Sequence, residues 1–217
     1  MVPVSIQPSD ALVVVDVQND FCPPRNGVGG ALAIPDGDAV IAPINALAAR
    51  FTHVILTQDW HPPRHISFSA THPGSDVFDV VRTATGKLQT LWPVHCVQET
   101  PGAELHPLLD IPHAELIVKK GKRSWIDSYS AFLENDRITS TGLAEHLQAA
   151  GIQRVFVAGL AYDFCVHFSA RDARKLGFKT FVIEDACRAV DLNGSVAQTN
   201  AHFAAEEITR ISSLEIL

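Results

Sequence analysis

The chain has 217 residues, 47% of them hydrophobic, and a formal net charge of −7 dispersed along its length. That apolar content supplies a sizeable core and excludes a disordered chain. The scattered acidic balance argues against a nucleic-acid or anionic-membrane partner. No apolar run reaches the length of a membrane span, so no transmembrane helix is expected. The opening MVPVSIQPSD lacks a basic segment followed by an apolar one, so no signal peptide is expected either. Cys22, Cys96, Cys165 and Cys187 are widely spaced and form no CxxC, which reads as reduced thiols of a cytoplasmic protein.

In chain order, ALVVVDV (11–17) is rich in β-branched residues and reads as a strand buried on both faces. A helical stripe of Val40, Ile41, Ile44, Leu47, Ala48 and Phe51 follows over 36–51, with Pro43 early enough to be tolerated. THVILTQD (52–59) is the second strand. Residues 60–113 break the rhythm and carry six of the ten histidines and more than half of the prolines. A long aperiodic stretch inside a compact domain is usually functional. AELIVKKG (114–121) is the third strand, 141–151 a helix stopped by Gly151, and RVFVAG (154–159) the fourth strand. A helix over 163–177 follows, with Asp163 as expected N-cap and Gly177 just past its end. A fifth strand (178–186), a helix (193–207) and a sixth strand (208–212) complete the chain.

Strands alternating with helices predict one α/β domain over 1–217, a three-layer α/β/α arrangement around a parallel sheet of about six strands. Ligands of such folds bind beyond the carboxyl ends of the strands. There is neither a GxGxxG nor a GxxxxGK[ST] segment to support nucleotide binding.

Three reactive groups fall at those ends. Asp16 ends the first strand, Lys119 and Lys120 the third, and Cys165 follows the fourth on a strand-to-helix turn. A thiol can attack, a carboxylate can take and return its proton, and an ammonium can hold the charges. A helix N-terminus would favour the thiolate. Each group also has a plainer reading, as core filler, turn residue or solvated side chain; their shared edge favours chemistry. The histidine-rich stretch supplies a second set. Asp59 and His61, two apart, face the same side in extended backbone. With His65 and His95 they make a carboxylate-imidazole donor set suited to Zn2+, Fe2+ or Mn2+. His72, His106 and His113, beside prolines, read as bystanders.

VVVDVQNDF, TQDWHPPRHISF, LWPVHCVQ, KG followed by YSAF, and GLAYDFCV, in this order and spacing, resemble the nicotinamidase branch of the isochorismatase-like cysteine hydrolases over about residues 10–213. The resemblance implies Cys165 as nucleophile, Asp16 as general base and acid, and Lys120, the lysine directly before glycine, as the third member. It implies one divalent metal per chain, Zn2+ or Fe2+ with Mn2+ as a further option, on Asp59, His61 and His95. His65 matches a position that ligates the metal in some members and only lies near it in others. Phe21, Trp92 and Tyr129 match aromatic positions around a pyridine ring. The Leu160–Ala161 bond matches a non-proline cis peptide that helps to aim the N–H groups of Ala161 and Cys165 at the substrate oxygen. The implied activity is hydrolysis of nicotinamide, and of pyrazinamide, in NAD salvage, and a homo-oligomer is compatible with it. Tyr162 and Phe164 stand where the family often has Thr and His, and Val94 where proline or glutamate is common. Two rivals remain: an amidohydrolase of carbamoyl or ureido substrates, which generally lacks the metal set, and a non-catalytic pyridine-binding metalloprotein, which has no need of a thiolate.

Overall fold

The apolar runs become a six-stranded sheet in a computed structural model that describes residues 3–84 and 86–217. The strands are β1 (Asp10–Val15), β2 (His53–Asp59), β5 (Leu116–Lys120), β6 (Arg154–Leu160), β7 (Lys179–Arg188) and β8 (Thr209–Ile211), ordered β5-β2-β1-β6-β7-β8. Every pairing in this sheet is parallel. A short antiparallel pair, β3 (Val80–Arg82) and β4 (Leu88–Thr90), lies within the stretch expected to be aperiodic. Three-residue strands are too short to leave a periodic signal.

Alternation along β1 divides the core. Leu12 and Val14 pack on one face with Ile41, Ile44 and Leu47 of α1 (Ile41–Ala48). Ala11, Val13 and Val15 pack on the other with Leu143 and Leu147 of α2 (Leu143–Ala149), Ala170 and Ala173 of α3 (His167–Lys175) and Phe203 of α4 (Ser195–Ala205). Successive strand side chains point to opposite faces, so one apolar run feeds both layers. The expected three-layer architecture is therefore present. Among the described residues no helix is long and apolar enough to cross a membrane.

Two helix starts differ from the sequence expectation. The first helix begins at Ile41, after a 3-10 turn over Gly37–Val40. The helix expected from 163 begins at His167, because Tyr162–Val166 form a π-helical turn. Asp163 caps nothing, and its carboxylate is spent on a neighbouring loop instead. Gly151 (φ +70°) and Gly177 (φ +97°) do follow the ends of α2 and α3 in the left-handed conformation expected of them.

Register decides which groups meet. Asp59, last in β2, lies opposite Lys120, last in β5. Val15 lies opposite Gly159, so Asp16 leaves β1 beside the end of β6. A Cβ on Gly159 would come 2.1 Å from the Val15 carbonyl oxygen, so the two strands converge where only glycine fits. Chain order reverses between β1 and β6, and at such a point the loops splay apart and open a crevice.

Candidate active site

Asp16, Lys120 and Cys165 converge at this crevice from three different strands. Lys120 Nζ lies 2.7 Å from Asp16 Oδ2 and 3.3 Å from Cys165 Sγ, and donates to the Ser128 carbonyl at 3.0 Å. It also donates to Asp59 Oδ1. Asp16 Oδ1 accepts the Thr57 hydroxyl at 2.5 Å, which fixes the carboxylate plane. Asp16 Oδ2 accepts no hydrogen bond in the geometry adopted, although the ammonium lies beside it, and so retains capacity to accept a proton. Oxygens of Asp16 and Asp59 and the sulfur of Cys165 fall within 4.8 Å of one another.

Burial governs the charges. It pushes the Cys165 thiol well up; the Lys120 ammonium opposes it without prevailing, while Asp16 and Asp59 reinforce it. Burial thus works against the thiolate that a helix N-terminus would favour: Cys165 sits in the π turn before α3, in a desolvated site with two carboxylates. Burial also raises Asp16, against Lys120. For Lys120 burial works toward loss of the proton, but Asp16 and Asp59 outweigh it and hold the ammonium well above its usual range.

The imidazoles of His61 and His95 are set alike. His61 Nδ1 bonds the Gly121 carbonyl at 3.0 Å and His95 Nδ1 the Pro93 carbonyl at 2.7 Å. Each therefore turns Nε2 toward Asp59 Oδ2, at 3.5 and 3.9 Å. A carbonyl on one nitrogen fixes the tautomer that leaves the other nitrogen's lone pair free, the usual arrangement of a ligating histidine. Gly121 permits this approach, with φ +62° and a virtual Cβ 2.5 Å from His61 Cε1. Burial opposes charge on Asp59, but Lys120, His61 and His95 hold its carboxyl well below the usual range. Burial, then the neighbouring His61, lowers His95 to about 4 and keeps it neutral. One anionic oxygen and two imidazole lone pairs fit a divalent cation. His65 differs. It stacks on His61 at 4.1 Å, but Nδ1 faces the Ser67 hydroxyl at 2.7 Å and Nε2 the Ile126 carbonyl at 2.9 Å. Both its nitrogens are occupied, so it offers no lone pair to the Asp59 group.

Between these groups lies a cavity of about 380 Å³, counted out to its mouth. Cys165, Ala161, Asp59, His61 and His95 line it, with Phe21, Trp92 and Tyr129 on its walls. Trp92 Nε1 donates to Tyr129 Oη at 3.0 Å, and Phe164 packs edge-on to Trp92 at 4.8 Å. The Leu160–Ala161 peptide is cis, as expected, while the Leu160 side chain is fully buried in the core and does not reach the cavity. Leu32, Ile34, Asp127, Phe164 and Val190 also line it and were not anticipated as site residues. Asp127, two positions before Tyr129, accepts Gln89 Nε2 at 2.8 Å, and the YSAF segment was the one signal pointing to this stretch.

Residues 10–212 match the isochorismatase domain model. The chain is 51% identical over 207 residues to the nicotinamidase of Acinetobacter baylyi, covering 95% of this chain and 94% of that protein. Its fold matches a nicotinamidase/pyrazinamidase structure from Acinetobacter baumanii with a TM-score of 0.92 at 52% identity, covering 96% and 98% of the two chains. It also matches the zinc complex of the Pyrococcus horikoshii pyrazinamidase, with a TM-score of 0.76 at 32% identity over 94% and 99%. With the domain match spanning nearly all of its length and relatives this near on both counts, the chain belongs to the isochorismatase family, in its nicotinamidase branch.

Proposed function

We propose that this chain, working as one domain in the cytoplasm, hydrolyses nicotinamide to nicotinate and ammonia in NAD salvage, and hydrolyses pyrazinamide by the same route. The observation that carries the reading is the juxtaposition, across one aromatic-walled cavity, of the Cys165–Lys120–Asp16 cluster and the convergent Nε2 atoms of His61 and His95.

Cys165 is the nucleophile. Its resting thiol passes its proton to Asp16 as sulfur attacks the carboxamide carbon, so the thiolate exists only while it is being used. Lys120 stays an ammonium throughout and balances the negative charge as it moves between Asp16 and sulfur. The N–H groups of Ala161 and Cys165 stabilise the tetrahedral oxyanion. Asp16 returns the proton to the amide nitrogen, the C–N bond breaks, ammonia leaves, and an acyl thioester remains. Asp16 then takes a proton from water, the hydroxyl adds to the thioester carbon, and the C–S bond breaks. The acid departs, and Asp16 hands its proton to the leaving sulfur, which restores the thiol.

Asp59, His61 and His95 would hold one divalent ion, Zn2+ or Fe2+, with Mn2+ also suited to these donors. When bound it supplies a Lewis-acidic anchor for the pyridine nitrogen, which places the carboxamide over Cys165. Phe21, Trp92 and Tyr129 flank the ring and keep bulk water from it.

Ammonia release from nicotinamide, measured before and after chelation and after Zn2+ return, tests the reading. Turnover should fall on chelation and recover with the metal, and Cys165→Ala should remove it entirely. Residual release above about a tenth of wild type in Cys165→Ala would exclude covalent catalysis at this thiol.

A further inference from the structure

The turn that carries Cys165 is fastened to the loop before α4 by a buried carboxylate that the chemistry above leaves unused. Asp163 stands two positions before the nucleophile and is 3% exposed. Its Oδ1 accepts the Val190 N–H at 3.0 Å, and its Oδ2 accepts the Asp191 N–H at 2.7 Å and the Ser195 hydroxyl at 2.5 Å. The loop it gathers is sharply bent: Asp191, Asn193 and Gly194 all have left-handed φ, at 54°, 53° and 79°. Val190 lines the cavity with Ala161, Phe164 and Cys165, and its N–H ends on Asp163.

We propose that Asp163 is a positioning residue which holds the Val190 wall of the cavity against the nucleophile turn and thereby sets affinity for the pyridine ring. This rests on the nicotinamidase reading and deepens it. A carboxylate is needed because all three partners are donors. An asparagine would present an NH2 to one of the backbone N–H groups, setting donor against donor. The loop would then swing away and the cavity would widen on that side. Asp163 touches neither the reacting atoms nor the candidate metal ligands, so the effect should fall on binding rather than on the chemical step.

The test compares wild type, Asp163→Asn, Val190→Ala and the double variant. Asp163→Asn should raise KM for nicotinamide about tenfold with kcat within about threefold, the scale of one or two lost charge-assisted hydrogen bonds. In the Val190→Ala background the same change should raise KM less than about twofold, because the wall is already gone. Ser195→Ala removes one donor of three, serves if Asp163→Asn folds poorly, and should raise KM about two- to threefold. Protection of Cys165 from iodoacetamide by nicotinate gives the same comparison without turnover. An inactive wild type would therefore refute the nicotinamidase reading, while shifted protection in the variants would still support the positioning role. An unchanged KM and unchanged protection in both Asp163→Asn and Ser195→Ala overturn the proposal. So does an equal shift in the Val190→Ala background, or a loss confined to kcat.

Discussion

Lys119 lays its ammonium 3.4 Å over the Trp60 ring on the exposed side of β5, while Lys120, the next residue, is fully buried among Asp16, Asp59 and Cys165. Lys119→Ala should therefore change kcat by less than about threefold, since it loses one exposed cation–π contact. Lys120→Met should abolish turnover. The Lys120 ammonium draws the Cys165 thiol down against burial, so its loss should move the alkylation profile of Cys165 to still higher pH. Alkylation rate against pH for both variants checks this, and equal losses would reverse the assigned register. A second contrast sets His95 against His65. His95→Ala should weaken metal retention beyond about a hundredfold, the loss of a direct donor, while His65→Ala should stay within about tenfold, as for a neighbour of a ligand. Metal content after dialysis against a competing chelator reads this directly. Both residues sit in the same histidine-rich stretch, and nothing in their spacing separates them. The carbonyl of Ile126 on one nitrogen, and the hydroxyl and N–H of Ser67 on the other, tie up His65 once the chain is folded.

At the scale of elements, α3 and α4 meet through a histidine pair. His167 Nε2 lies 3.0 Å from His202 Nδ1 with the rings stacked, and Arg171 pairs with Glu206 beside them. Burial first, then the charge of Arg171 and the neighbouring His202, pushes His167 down to about 3, with Glu206 and the Asp163 carbonyl opposing. An unfolded histidine titrates near 6.5, so below that pH the unfolded chain takes up a proton that the folded one refuses. Stability should then fall as pH drops from about 6.5 toward 3, at up to about 1.4 kcal/mol per pH unit from this group. Urea midpoints between pH 4 and 7 should slope less steeply in His167→Gln than in wild type; identical slopes would remove His167 as the source. The helices themselves were legible, because two to three turns of amphipathic pattern leave a usable signal. Their exact starts were not. The π turn at Tyr162–Val166 carries the same apolar residues that a regular helix would, and Asp163 looks like a cap until its partners in the 190–195 loop are known.

For the whole molecule, strand order does what no single element can. Placing β1 between β2 and β6, with β5 outside β2, sets Asp16, Asp59, Lys120 and Cys165 side by side although they span most of the chain. The alternation of strands and helices foretold a parallel sheet, and a parallel sheet foretold the shared edge; hence the reactive groups could be named in advance. The walls of the cavity could not, since Leu32, Ile34, Asp127 and Val190 come from loops whose paths depend on long-range contacts. A close approach of a different kind joins β6 to β1 at Gly159. Gly159→Ala would force a Cβ against the Val15 carbonyl at φ +117°, and should lower stability by more than about 3 kcal/mol. Equilibrium unfolding measures it, and a loss below about 1 kcal/mol would mean that the strands can part without harm.

Lys120 and Gly121 are neighbours in sequence, yet one reaches the Cys165 thiol and the other holds the ring of His61. They sit at the end of β5, an edge strand that pairs with β2 alone. A single-residue insertion or deletion in β5 would therefore disturb the Cys165 thiol and the Asp59–His61–His95 group in the same generation. Descendants of this chain can vary one group without the other through substitutions elsewhere, at His95 for instance. Along β5 the two chemistries are inherited together.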